Sequence, residues 1–86
     1  MPTTILDVST KGRFLKTPIK GTTNIPYDEI KHNLEKIKAM QPLIVCCSTG
    51  ELSKWVCDFL KRNGIEETHN GGNWETTSFI IKNSQK

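Results

Sequence analysis

Polar and apolar positions along the chain alternate between strand-like and helix-like patterns. Residues 3–8, Thr-Thr-Ile-Leu-Asp-Val, form a β-rich opening run. Residues 11–16 can hold a short helical turn, weakened by Gly12. Pro18, Gly21 and Pro26 punctuate a loop around an extended piece at residues 23–25. Over residues 28–40 the spacing predicts a helix, with Tyr27, Ile30, Leu34 and Ile37 along one face. Asp28 and Glu29 suit its N-terminus, and Pro42 closes the region. Residues 43–47, Leu-Ile-Val-Cys-Cys, are an unbroken apolar run of the kind found in central strands buried on both faces. A second helix follows over residues 51–63, with Val56, Cys57, Phe59 and Leu60 inward and Asn63-Gly64 as its C-cap. Residues 65–69 read as a short strand, and Asn70-Gly71-Gly72 as a turn into a last helix carrying Trp74, Phe79 and Ile80.

Strands alternating with helices predict an α/β fold, a parallel sheet with helices on its faces. Ligands of open α/β sheets sit at the carboxyl ends of the strands. The turn from Cys47 to Ser53 lies at such an end. Ser48, Thr49 and Gly50 lead directly into the second helix. Backbone N–H groups in such a loop converge on one point, and the helix N-terminus adds partial positive charge. Both effects favour thiolate at Cys47, an accessible soft nucleophile in this reading. Cys46 lies one residue earlier, so it points to the opposite face of the strand and reads as core. Cys57, on the apolar helix face, also reads as core. Trp55 falls beside the buried stripe, either as rim packing or as a contact patch for a partner protein. Trp74 reads as packing the final helix, and His69, at a strand end, either as a solvent-exposed residue with no role or as one facing the cleft.

The 86 residues are enough for one domain spanning 1–86. Hydrophobic residues make up 35% and charged residues 24%, an ordinary globular balance. No run approaches the ~18 apolar residues of a membrane helix. The N-terminal residues lack the layout of a signal peptide, so a cytoplasmic, monomeric protein without membrane contact is expected. The net charge of +3 is small, and no basic stripe with interleaved aromatics points to nucleic acid. Lys11, Arg13, Lys16 and Lys20 are opposed locally only by Asp7. They form either a solvated basic loop or a positive rim for a small anion. Three cysteines, an odd count with no Cys-x-x-Cys, predict neither a disulfide framework nor a metal site. A phosphatase loop of the form Cys-x5-Arg is excluded. From Cys47 the arginine position is Ser53, and from Cys46 it is Leu52.

Four segments in order resemble the single-domain rhodaneses, the sulfurtransferase family. Ile5-Leu6-Asp7-Val8 resembles the strand that ends in Asp-Val-Arg. Gly21-Thr22-Thr23-Asn24-Ile25-Pro26 resembles the Gly-Ala-x-Asn-Ile-Pro segment. Val45-Cys46-Cys47-Ser48-Thr49-Gly50-Glu51-Leu52-Ser53 resembles the active-site loop, often Val-Tyr-Cys-x-x-Gly-x-Arg-Ser. Gly71-Gly72-Asn73-Trp74 resembles a shortened Gly-Gly-x-x-x-Trp signature. The resemblance spans almost the whole chain and is to the minimal members of the family. It implies a small open parallel sheet with helices on both faces, and a sulfane sulfur carried as a persulfide on Cys47 with no cofactor. Thiosulfate, polysulfide or a protein persulfide would be the donor; cyanide, a thiol or a sulfur-carrier protein would be the acceptor. The loop amides of Ser48, Thr49, Gly50, Glu51, Leu52 and Ser53 would hold the terminal sulfur. Two positions depart from the family pattern. Leu52 stands where the loop arginine is usual, with Glu51 beside it, and Ser9 replaces the arginine of Asp-Val-Arg. Weak use of thiosulfate follows, unless Lys11, Arg13 or Lys54 supplies the missing cation. The alternative is a non-catalytic binding or regulatory module that kept the fold and lost donor binding.

Overall fold

A computed structural model describes residues 3–84. Four parallel strands make one sheet in the order β2-β1-β3-β4. They are β1 (Thr4–Asp7), β2 (Thr23–Asn24), β3 (Leu43–Cys46) and β4 (Thr68–Gly72). The helices are α1 (Lys11–Phe14), α2 (Leu34–Lys38), α3 (Glu51–Arg62) and α4 (Trp74–Ser84), with a 3-10 segment at Tyr27–His32.

Side-chain alternation along the central strands builds a core on each side of the sheet. Leu6, Val8, Leu43, Val45 and Cys47 face one way and pack with Ile30, Ile37, Val56 and Leu60. Ile5, Ile44 and Cys46 face the other way and pack with Ile19, Trp74 and Ile81. The 3-10 segment, α2 and α3 therefore share one face, and α4 covers the other. Strand β3 is buried at every position, as its unbroken apolar run requires.

Two expectations need correction. The helix over residues 28–40 is split at Asn33 into the 3-10 segment and α2. The Asn33 side-chain amide donates to the Glu29 carbonyl at 2.8 Å, and its backbone has left helical geometry. Asparagine competes with the helix for backbone partners, so the apolar face survives while the helix does not run through. The last strand is not residues 65–69 but Thr68–Gly72. Ile65 is instead the buried anchor that closes α3, its amide donating to Leu60 O at 3.0 Å past Gly64 in the left-handed region. Gly71 then lies within the strand, where a Cβ would meet Ile44 Cγ2 at 2.7 Å. The last helix carries Trp74, Phe79 and Ile80 as expected. Trp74, Thr77 and Ile81, at helical spacing, face the sheet, and Phe79 is 60% exposed.

Candidate active site

Strand β3 delivers Cys47 to the carboxyl edge of the sheet. Its amide donates to Gly72 O at 3.1 Å, one more rung toward β4. Gly50 takes φ +87° and starts α3, a left-handed position open to glycine. That bend aims the Gly50 N–H at Cys47 Sγ, 2.9 Å away. The cap position of α3, Gly50, has no side chain to take the N–H groups of the first turn, and of these only the Glu51 N–H has a side-chain acceptor nearby. The sulfur therefore sits under the positive end of a 12-residue helix.

Not all six loop amides converge as expected. The Ser48 N–H points away from the sulfur and donates to Ser9 Oγ at 2.9 Å. The Glu51 N–H meets Thr49 Oγ1 at 3.4 Å, and the Ser53 hydroxyl donates back to Gly50 O at 3.1 Å. Nor is Cys47 openly accessible: it is 1% exposed. Its side chain falls on the α3 side of the sheet, within the core of Val45 and Val56. Leu52, at the usual arginine position, packs against that same core.

The two other thiols are buried and biased toward the neutral form. Burial, and then the nearby Asp7 charge, push Cys46 up to about 12 against the working of the Thr77 hydroxyl. Burial also raises Cys57, with Lys61 opposing and Asp58 adding to the effect. Cys46 belongs to the α4-side core, opposite Cys47.

Of the expected cationic rim, Arg13 reaches the loop. Its Nη1 donates to Ser48 Oγ at 3.2 Å, from the helix that follows β1. Lys11 and Lys54 are exposed on α1 and α3, and no hydrogen bond among the described residues draws either to the loop. His69 is exposed on β4. Trp55 is 53% exposed and stacks on Phe59, centroids 5.8 Å apart. Together with Tyr27, Asp28, Ile30 and Lys31 they line a shallow groove between the 3-10 segment and α3. Among the described residues, no cluster of His, Cys, Asp or Glu is able to hold a metal ion. No helix among them is long and apolar enough to cross a membrane.

Two residues that sequence reasoning did not assign to the site, Asp7 and Asn24, tie it together. Asp7 is fully buried; its Oδ1 accepts from Ser9 N at 2.8 Å and its Oδ2 from Trp74 Nε1 at 2.7 Å. Asn24 Nδ2 forks onto Asp7 O at 2.9 Å and Ser9 O at 3.0 Å. The signal for both lay in the strand and Gly-x-x-Asn-Ile-Pro motifs, but their partners are distant in sequence.

No protein-family model matches the sequence, and no curated protein matches it. Solved structures do. SSP1007 from Staphylococcus saprophyticus subsp. saprophyticus is 27% identical, with a TM-score of 0.72; the match covers 85% of this chain and 73% of that one. The human single-domain sulfurtransferase TSTD1 is 18% identical, with a TM-score of 0.67, over 79% of this chain and 73% of that one. The four-stranded parallel sheet with helices on both faces is thus the single-domain rhodanese-like α/β fold.

Proposed function

We propose that this chain is a sulfurtransferase that carries a sulfane sulfur as a persulfide on Cys47. The observation that carries the reading is the placement of Cys47 Sγ, 2.9 Å from the Gly50 N–H and beneath the uncapped start of α3. A hydrogen-bond donor and a helix dipole both stabilise negative charge on sulfur. The fold shared with a named sulfurtransferase points the same way.

In the first half-reaction the Cys47 thiolate attacks the sulfane sulfur of the donor. With thiosulfate, the new S–S bond forms as the donor's S–S bond breaks, and sulfite leaves with the electron pair. In the second, an acceptor nucleophile such as cyanide or a thiolate attacks the terminal sulfur, and Cys47 leaves as thiolate. No cofactor or metal takes part. In this reading the first-turn amides of α3, those of Leu52 and Ser53, hold the charged terminal sulfur. Arg13, beside Ser48, is the cation best placed for an anionic donor. A polysulfide or a protein persulfide requires no such cation. The exposed Trp55–Phe59 groove is a surface for a sulfur-carrier partner, and a monomer in a reducing, cytoplasmic setting suits the free thiol.

A second reading is favoured by two features. Leu52 turns into the core and Cys47 is covered, as fits a binding module without turnover. Intact-mass spectrometry after thiosulfate and, separately, polysulfide distinguishes the two. A gain of one sulfur atom, mapped to Cys47 and discharged by cyanide, is expected. No gain with either donor leaves the binding module.

A further inference from the structure

We propose that Ser9 is the positioning residue of the Cys47 loop: its hydroxyl oxygen, by holding the Ser48 amide, sets the direction in which Cys47 Sγ meets the Gly50 N–H. Cys47 is pinned on both sides through its backbone. On one side its own N–H is held by Gly72 O at 3.1 Å. On the other, the N–H of the Cys47–Ser48 peptide is held by Ser9 Oγ at 2.9 Å. With both peptides held, the Cα–Cβ direction of Cys47 is set, and the sulfur falls 2.9 Å from Gly50 N.

Ser9 is itself rigid. Its N–H is held by Asp7 Oδ1 at 2.8 Å and its carbonyl by Asn24 Nδ2 at 3.0 Å. It is 2% exposed, so water does not readily replace the lost acceptor if the hydroxyl is removed. The hydroxyl joins elements 39 residues apart in sequence, the end of β1 and the end of β3. Serine stands here where the resemblance gives arginine. In this chain the position therefore orients the reacting loop through a short neutral acceptor, and the guanidinium at the loop comes from Arg13.

The inference rests on Cys47 being the reacting thiol, but not on any particular sulfur donor. The test is the rate of Cys47 alkylation by iodoacetamide against pH, with tryptophan fluorescence confirming the fold. The charged groups around the loop, Arg13, Glu51 and Asp7, are unchanged in every variant, as is the neighbouring Cys46. Ser9→Ala is compared with Ser9→Thr, which retains the oxygen, and with Leu60→Val, which loosens the core away from the loop. Ser9→Ala is expected to raise the midpoint of the rate profile by about one pH unit, so that about tenfold less thiolate reacts below it. Ser9→Thr should return most of that loss, and Leu60→Val should lower the melting temperature without moving the midpoint. A midpoint that Ser9→Ala leaves in place or lowers overturns the proposal. So does an equal shift with Leu60→Val, or a Ser9→Thr profile matching Ser9→Ala. If wild-type Cys47 is not labelled ahead of Cys46 and Cys57, it is the sulfurtransferase reading that fails.

Discussion

Trp74 Nε1 donates to the buried Oδ2 of Asp7 at 2.7 Å, joining the first strand to the last helix across 67 residues. The other carboxylate oxygen holds the Ser9 amide, so one side chain links α4 to the segment that supports the Cys47 loop. A hydrogen bond to a charged group contributes about 1.5–3 kcal/mol, and leaving the buried acceptor without it costs a similar amount. Trp74→Phe keeps an aromatic ring and removes only the donor. It should lower stability by about 1.5–3 kcal/mol in urea unfolding, roughly 6–24 °C in melting temperature for a domain this small. An unchanged midpoint would show that the bond is not holding α4.

Cys46 gives an alkaline limit to stability. Its thiol is raised from 9.0 to about 12 in the fold, burial being the main cause. Between those values the unfolded chain has released the proton and the folded chain has not. The neutral thiol thus adds its full stability below about pH 9 and loses it progressively as pH climbs toward 12. Urea midpoints measured at pH 8, 9.5 and 10.5 should fall in the wild type, and fall less steeply in Cys46→Ala. Parallel slopes would rule out Cys46 as the source.

Gly50→Ala tests the loop's geometry. An L-residue in the left-handed region costs about 1–2 kcal/mol. The new Cβ would also lie 3.1 Å from the Asn73 amide nitrogen, pressing the start of α3 away from β4. The variant should be less stable by at least about 1 kcal/mol and should alkylate Cys47 more slowly, because the Gly50 N–H moves off the sulfur. Wild-type alkylation in a destabilised Gly50→Ala would separate the bend from the reactivity.

Leu52→Arg tests the departure from the family loop. The arginine stem can cover the core surface that Leu52 now covers while its head reaches solvent. A charge-assisted hydrogen bond to an anionic donor contributes about 1.5–3 kcal/mol, about a ten- to hundredfold gain in second-order rate with thiosulfate. Glu51 would pair with the new charge, so adding Glu51→Asn should increase the gain. Polysulfide turnover should barely change. Equal gains for both donors would mean that anion binding at this position is not what limits thiosulfate.

Local pattern was enough to determine the α/β class, β3, α3 with its Asn63-Gly64 end, and the split between Cys46 and Cys47. Each of these depends on short-range rules: side chains alternate along a strand, and apolar residues repeat along a helix. The same rules placed Cys47 at a strand-to-helix turn, before any contact was known. They failed where a single polar or glycine residue was decided by a hydrogen bond or a close approach that periodicity does not register. Asn33 broke a helix whose apolar spacing was intact, because its side chain took the Glu29 carbonyl. Gly71 and Gly72 read as a turn, yet they extend β4, where a Cβ on Gly71 would run into Ile44 and one on Gly72 into Thr76. The loop's wiring was hidden for the same reason. Ser48 turns its amide toward Ser9, Arg13 reaches Ser48, and Trp74 reaches Asp7, pairs separated by 35 to 67 residues. Hydrogen bonds over such separations leave no periodic trace in the chain. They form only once the parallel sheet has brought the ends of β1, β3 and β4 to one edge.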